Sequence, residues 1–163
     1  MNSTVQPQIQ YFSFEQMLAV YGYVVYTCVG VSMMSLLRQR KDIVEIRPLA
    51  KRPQKYDVVL YKRKGQYILH RILKALPDGS YIIAGDHNTF VERDITDEMI
   101  LGKMVRIIRD GNSIYPNDRK YRLYVHLWCD CYPVRMFLLQ CKAKAAFLIR
   151  KGIGCKTPQS WTG

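Results

Sequence analysis

Acidic residues are scarce in this chain. Thirteen Asp and Glu stand against 25 Lys and Arg, for a net charge of +12 over 163 residues. That imbalance implies attraction to anionic partners, whether nucleic acid, membrane headgroups or acidic peptides, and does not choose among them. Residues 1–15 are polar, carry Glu15 and have no basic n-region, so no secretory signal peptide is expected. Paired CxxC motifs are also missing. The five cysteines, at 28, 129, 131, 141 and 155, fit neither zinc knuckles nor a dense disulfide framework, and Cys129-Asp130-Cys131 is too isolated for a metal site. They read as reduced thiols of a reducing compartment. Residues 16–37 contain no charged side chain, a length that could cross a bilayer. Gly22, Gly30, Gln16, Thr27 and Ser32 interrupt that run, and its last third holds a serine that needs water. A spanning helix is therefore not expected. There is no internal repeat and no low-complexity tract.

Three boxes carry the chemistry. The first is Gly30-Val31-Ser32-Met33-Met34-Ser35-Leu36, the second Tyr67-Ile68-Leu69-His70-Arg71-Ile72, the third Ile82-Ile83-Ala84-Gly85-Asp86-His87-Asn88. They offer a hydroxyl, an imidazole and an acidic loop. A serine hydroxyl is a poor nucleophile near neutrality unless a positioned base takes its proton. Imidazole has the pKa best matched to that task. Ser32 and His70 are thus the candidate nucleophile and base. Strand alternation puts His70 on one face with Ile68 and Ile72, and Leu69 and Arg71 on the other. Arg71 is expected to face away and pair with surface acids. Lys74 is not expected to act as base, and His87 and His126 read as surface or packing residues. Hydroxyl, imidazole and carboxylate suffice for hydrolysis, so no cofactor and no metal is expected.

The Ser32-Met33 step, the Tyr56-Asp57-Val58-Val59-Leu60-Tyr61 strand, the His70-Arg71 pair and the Gly85-Asp86-x-Asn88 box together resemble signal peptidase I and its relatives, including the SOS-repressor autoproteases. The resemblance covers roughly residues 22–110 and is nearest to the histidine-type signal peptidases. It implies a mainly β, coiled and partly open β-barrel, and a serine endopeptidase that cuts an extended peptide beside small residues. By position it makes Glu92 the acid that orients His70, a glutamate where the relatives carry aspartate. Asp86 then supports the loop, and Asp94 is a third choice. Two positions depart from the family: Ser35 stands where proline is usual, and Gly30 where a serine or threonine often lends its hydroxyl to the oxyanion hole. An enzyme built this way relies on backbone N–H groups there. An anchor helix upstream of Ser32 is also not expected, because little sequence precedes it.

A hydrophobic content of 48% can bury one core, and twelve tyrosines with many Val and Ile favour strands. The patterning predicts a short helix starting near Ser13 and strands over 23–29, 43–46, 56–62, 66–76, 80–84 and 100–109, with a short helix or turn over 32–37. Lys64-Gly65 and Pro77-Asp78-Gly79 read as hairpin turns, and Asp110-Gly111 as a strand end. These strands form a peptidase-like β domain over 1–115. Residues 116–163 form a basic helical appendage, divided by Pro133. Its second segment sets Arg135, Lys142, Lys144, Arg150 and Lys151 against Met136, Leu139, Phe147 and Leu148, an amphipathic pattern suited to peripheral contact with an anionic membrane or to packing on the barrel. The expected partner is a peptide or protein substrate, in the cytoplasm or at the inner membrane surface. The rival readings are a catalytically inactive peptidase-like binding module and a basic nucleic-acid-binding β protein. Basic and aromatic residues interleave only faintly over 56–62, so nucleic acid is the less expected partner.

Overall fold

The computed structural model describes residues 12–131, 135, 137–141, 144 and 145. Helix α1 (Phe14–Tyr21) starts at Ser13 with a capping box. The Ser13 hydroxyl accepts from the Gln16 N–H, and the Gln16 side chain accepts from the Ser13 N–H. Then come β1 (Val24–Thr27), β2 (Ile43–Arg47), β3 (Val58–Arg63), β4 (Gln66–Ala75), β5 (Tyr81–Ala84), β6 (Glu92–Ile95), a 3₁₀ turn over Asp97–Met99, β7 (Ile100–Arg109), β8 (Asn112–Ile114) and α2 (Arg119–Asp130). The predicted helix or turn after β1 is a turn.

The eight strands form one antiparallel sheet in the order β1-β2-β7-β3-β4-β5-β6, with β8 on β7, and the sheet does not close. The chain is thus mainly β with a few short helices. Strand alternation supplies two cores. On one face Val58, Leu60 and Leu69 join Leu18 of α1, Met33, Leu36 and Leu37 of the turn, and Tyr121, Val125 and Cys129 of α2. On the other, Val59, Tyr61, Ile72, Ile83, Ile95 and Ile100 pack together. Glu92 of β6 accepts a hydrogen bond from Tyr61 of β3 at 2.7 Å although two strands separate them, so the sheet curls around this second cluster.

Residues 16–37 divide into α1, β1 and the turn, and among the described residues no helix is long and apolar enough to cross a membrane. The four described cysteines, 28, 129, 131 and 141, are free thiols. Much of the predicted second C-terminal helix, including Met136, Lys142, Phe147, Leu148, Arg150 and Lys151, lies outside the described residues. Arg135 belongs to no solvent-facing basic stripe, as its side chain is buried, and Leu139 is buried as well.

Candidate active site

Ser32 is half-buried in the turn after β1 and is set by backbone contacts. Its carbonyl accepts the His87 N–H at 2.7 Å. A Cβ on Gly85 would fall 2.5 Å from the Ser32 carbonyl oxygen and 2.9 Å from the Ser32 Cβ, so only glycine lets these two segments touch. Behind the turn, Arg109 donates to the Leu36 carbonyl at 2.6 Å and to Asp42 at 2.6 Å, while Asp42 also receives the Arg38 N–H. Ser32 opens onto a cleft of about 130 Å³ walled by Tyr26, Gly30, Tyr67, Ile68 and Leu69. Cys28 lines the same cleft. Burial pushes its thiol up to about 11, so it stays protonated near neutrality.

His70 sits on β4, which pairs with β5 through Arg71 and Ala84. Continuing that register by one residue sets His70 beside Gly85, and Gly85 abuts Ser32. The imidazole is buried. Its Nδ1 lies 2.9 Å from Glu92 Oε1 and 3.1 Å from the Tyr61 hydroxyl oxygen. The Tyr61 hydroxyl donates to Glu92 Oε1 at 2.7 Å, and Arg63 donates to Glu92 Oε2 at 3.1 Å. An Nδ1–H facing a carboxylate leaves Nε2 with its lone pair, the tautomer a general base needs. Burial lowers the His70 pKa below 6.5, against an opposing pull from Glu92 and then Asp86. The described contacts of His70 are all at Nδ1, and none joins it to the Ser32 hydroxyl. Such bonds are often long before substrate arrives.

Asp86 is held elsewhere. Its carboxylate is fully buried and takes both the Nε and the NH2 group of Arg71, at 2.9 and 2.7 Å, and the Tyr124 hydroxyl at 2.9 Å. This corrects the expectation that Arg71 faces surface acids: it too is fully buried. The face of β4 opposite His70 is covered by α2, so neither face is solvated there. Burial alone would depress the Arg71 pKa, and the Asp86 carboxylate more than offsets this and holds it well above the ordinary value. Asp94 is exposed at left-handed φ (62°) on β6, and Lys74 and His87 are exposed. His126, half exposed, pairs with Asp130.

Residues 85–88 are also gripped from the C-terminal side. Trp128 Nε1 donates to the Asp86 carbonyl at 2.7 Å, and Arg135 donates to the Gly85 and Asn88 carbonyls at 2.6 and 3.1 Å. Sequence reasoning missed Tyr61, Arg63, Tyr124, Trp128 and Arg135. Alternation on β3 places Tyr61 and Arg63 on one face, which was a usable signal. No local pattern points to Tyr124, Trp128 or Arg135.

Among the described residues no group of three or more His, Cys, Asp and Glu is placed to hold a metal. Chemically, the arrangement offers a hydroxyl on a backbone-clamped turn, an imidazole with an acid on Nδ1, and a small cleft of mixed polar and apolar lining beside Ser32. No protein-family model matches the chain, and no curated protein or solved structure matches it at a significant level.

Proposed function

We propose that the protein is a serine endopeptidase of the signal-peptidase-like clan, with that clan's coiled, partly open barrel as the form of its curled sheet. The observation that carries the reading is Nδ1 of a buried histidine, 2.9 Å from Glu92, on the strand beside the glycine pressed against Ser32. Ser32 Oγ attacks the scissile carbonyl. His70 Nε2 takes its proton and delivers it to the leaving amine, and a water then hydrolyses the acyl-enzyme with the same imidazole as base. Glu92 keeps the proton on Nδ1. Asp86, neutralised by Arg71, supports the loop. Gly30 has no hydroxyl to lend, so the oxyanion is met by backbone N–H groups of the turn. Among the described residues β1 pairs only with β2, and it runs into the turn that carries Ser32, so its other edge can take up an extended peptide by strand addition.

The proposed setting is the cytoplasm, at the inner membrane surface. The +12 charge supports it, together with the outward Leu123 and Leu127 of α2 beside Arg119, Lys120 and Arg122. One observation favours an inactive peptide-holding module instead: His70 and Ser32 are not hydrogen-bonded. A nucleic-acid-binding reading loses its stacking platform, because Val58 to Tyr61 are buried. A fluorophosphonate probe decides between enzyme and module. Labelling of the wild type, lost in Ser32→Ala, is the expected result. An unlabelled wild type, or equal labelling of both, refutes the nucleophile assignment.

A further inference from the structure

Glu92 does not reach His70 alone. It opens β6, which among the described residues pairs only with β5, yet its carboxylate is anchored on β3 by two residues one pleat apart, Tyr61 and Arg63. Tyr61 is fully buried, Glu92 is mostly so, and the Arg63 side chain is 35% exposed. Each carboxylate oxygen has its own donor. Oε1 takes the Tyr61 hydroxyl and faces Nδ1, and Oε2 takes the guanidinium. We propose that Tyr61 and Arg63 are positioning residues for His70, acting through Glu92: Tyr61 fixes the oxygen opposite Nδ1, and Arg63 limits how strongly the carboxylate attracts a proton onto the ring. The proposal deepens the peptidase reading and rests on it for its catalytic meaning.

The chemistry requires both parts. An imidazole beside an unopposed buried carboxylate becomes imidazolium and stops being a base. One with no acid at Nδ1 loses its tautomer and its orientation. Among the described residues, few charged and titratable groups face His70. Glu92 comes from β6, Tyr61 from β3, and Asp86 follows β5 with its charge met by Arg71. Arg63 is the one cation on Glu92 among the described residues. The Tyr61 hydroxyl is held far above its ordinary pKa by burial and by Glu92, so it stays a donor throughout the working range.

The test uses the full chain and two readouts. The first is the NMR titration of the His70 ring in the Ser32→Ala background, assigned among three histidines by its loss in His70→Ala. Arg63→Met should raise the midpoint by roughly half a unit or more, and Arg63→Lys should restore it. The second is the pH dependence of fluorophosphonate labelling with Ser32 intact. Its acid limb should move up with the titration in Arg63→Met, and Tyr61→Phe should lower the plateau rate about tenfold or more. A midpoint unchanged in folded Arg63→Met overturns the charge-limiting role, and an unchanged plateau in folded Tyr61→Phe overturns the positioning role. A shifted midpoint in a protein whose wild type is never labelled supports the link from Arg63 to His70 and refutes the peptidase reading.

Discussion

At the scale of single residues, the site turns on where each proton resides. Burial lowers the His70 pKa below 6.5, so the ring stays neutral as pH falls through 6.5 and protonates only at more acid pH. The acid limb of labelling should therefore have its midpoint below 6.5. Glu92→Gln removes the largest opposing pull, so the limb should move to still lower pH while the plateau rate falls by orders of magnitude. A pH profile of labelling rates checks both. The same shift bears on stability. Between 6.5 and the lowered folded value the unfolded chain binds a proton that the folded chain refuses, so stability falls as pH drops through that window. Arg71→Met strands the Asp86 carboxylate without its cation and should cost about 3–5 kcal/mol, read as a lowered denaturation midpoint. The resemblance put Glu92 beside His70 by position, and the carboxylate does lie 2.9 Å from Nδ1, while the three local boxes offered Ser32, His70 and Asp86 without saying which groups touch. Arg71 was misread because alternation tells which residues share a face, and not whether a helix from fifty residues away covers it.

At the scale of elements, contact between the loop of residues 85–88 and the turn that carries Ser32 depends on a missing side chain. Gly85→Ala puts a methyl group 2.5 Å from the Ser32 carbonyl oxygen, and backbone cannot yield as a flexible side chain would. Labelling should fall at least about a hundredfold while the protein still folds, because a displacement of about 1 Å at the chemistry costs that much. Circular dichroism beside labelling separates the two effects. The central strands were readable, and β7 appears at its predicted bounds. Two strands were not. β6 reads Glu-Arg-Asp-Ile, is charged and short, and places Asp94 at a left-handed φ of 62°, so no periodicity marks it. β8 was hidden by taking Asp110-Gly111 as a terminus. Both residues have positive φ, at 49° and 79°, and the pair turns a hairpin. α2 was expected from its spacing. Its inner side is core, where a buried side chain such as Val125 contributes about 1.5–3 kcal/mol.

At the scale of the whole molecule, the fold leaves Leu123 and Leu127 outermost on α2, each 61% exposed and one turn apart, with Arg119, Lys120 and Arg122 alongside. Each basic residue near an anionic surface contributes about 1 kcal/mol, weakened by salt. The protein should float with anionic vesicles at low salt, and Leu123→Glu with Leu127→Glu should abolish flotation without loss of labelling in solution. Flotation unchanged by this pair assigns membrane contact to another surface. The curl of the sheet was not legible, because it brings Glu92 of β6 to Tyr61 of β3 across strands that are not neighbours in the sheet.

The grip of Tyr124, Trp128 and Arg135 on residues 85–88 also gives the molecule a birth order. A ribosome releases the chain from its N-terminus, so Ser32, His70 and Glu92 all emerge before the side chains that seat Asp86 and the Gly85 carbonyl. A chain made only as far as Glu92 carries Ser32, His70 and Glu92 and lacks the side chains that hold residues 85–88. On the proposed peptidase reading, competence to cut waits for Trp128 and Arg135, which protects neighbouring nascent chains from a hydrolase still being made.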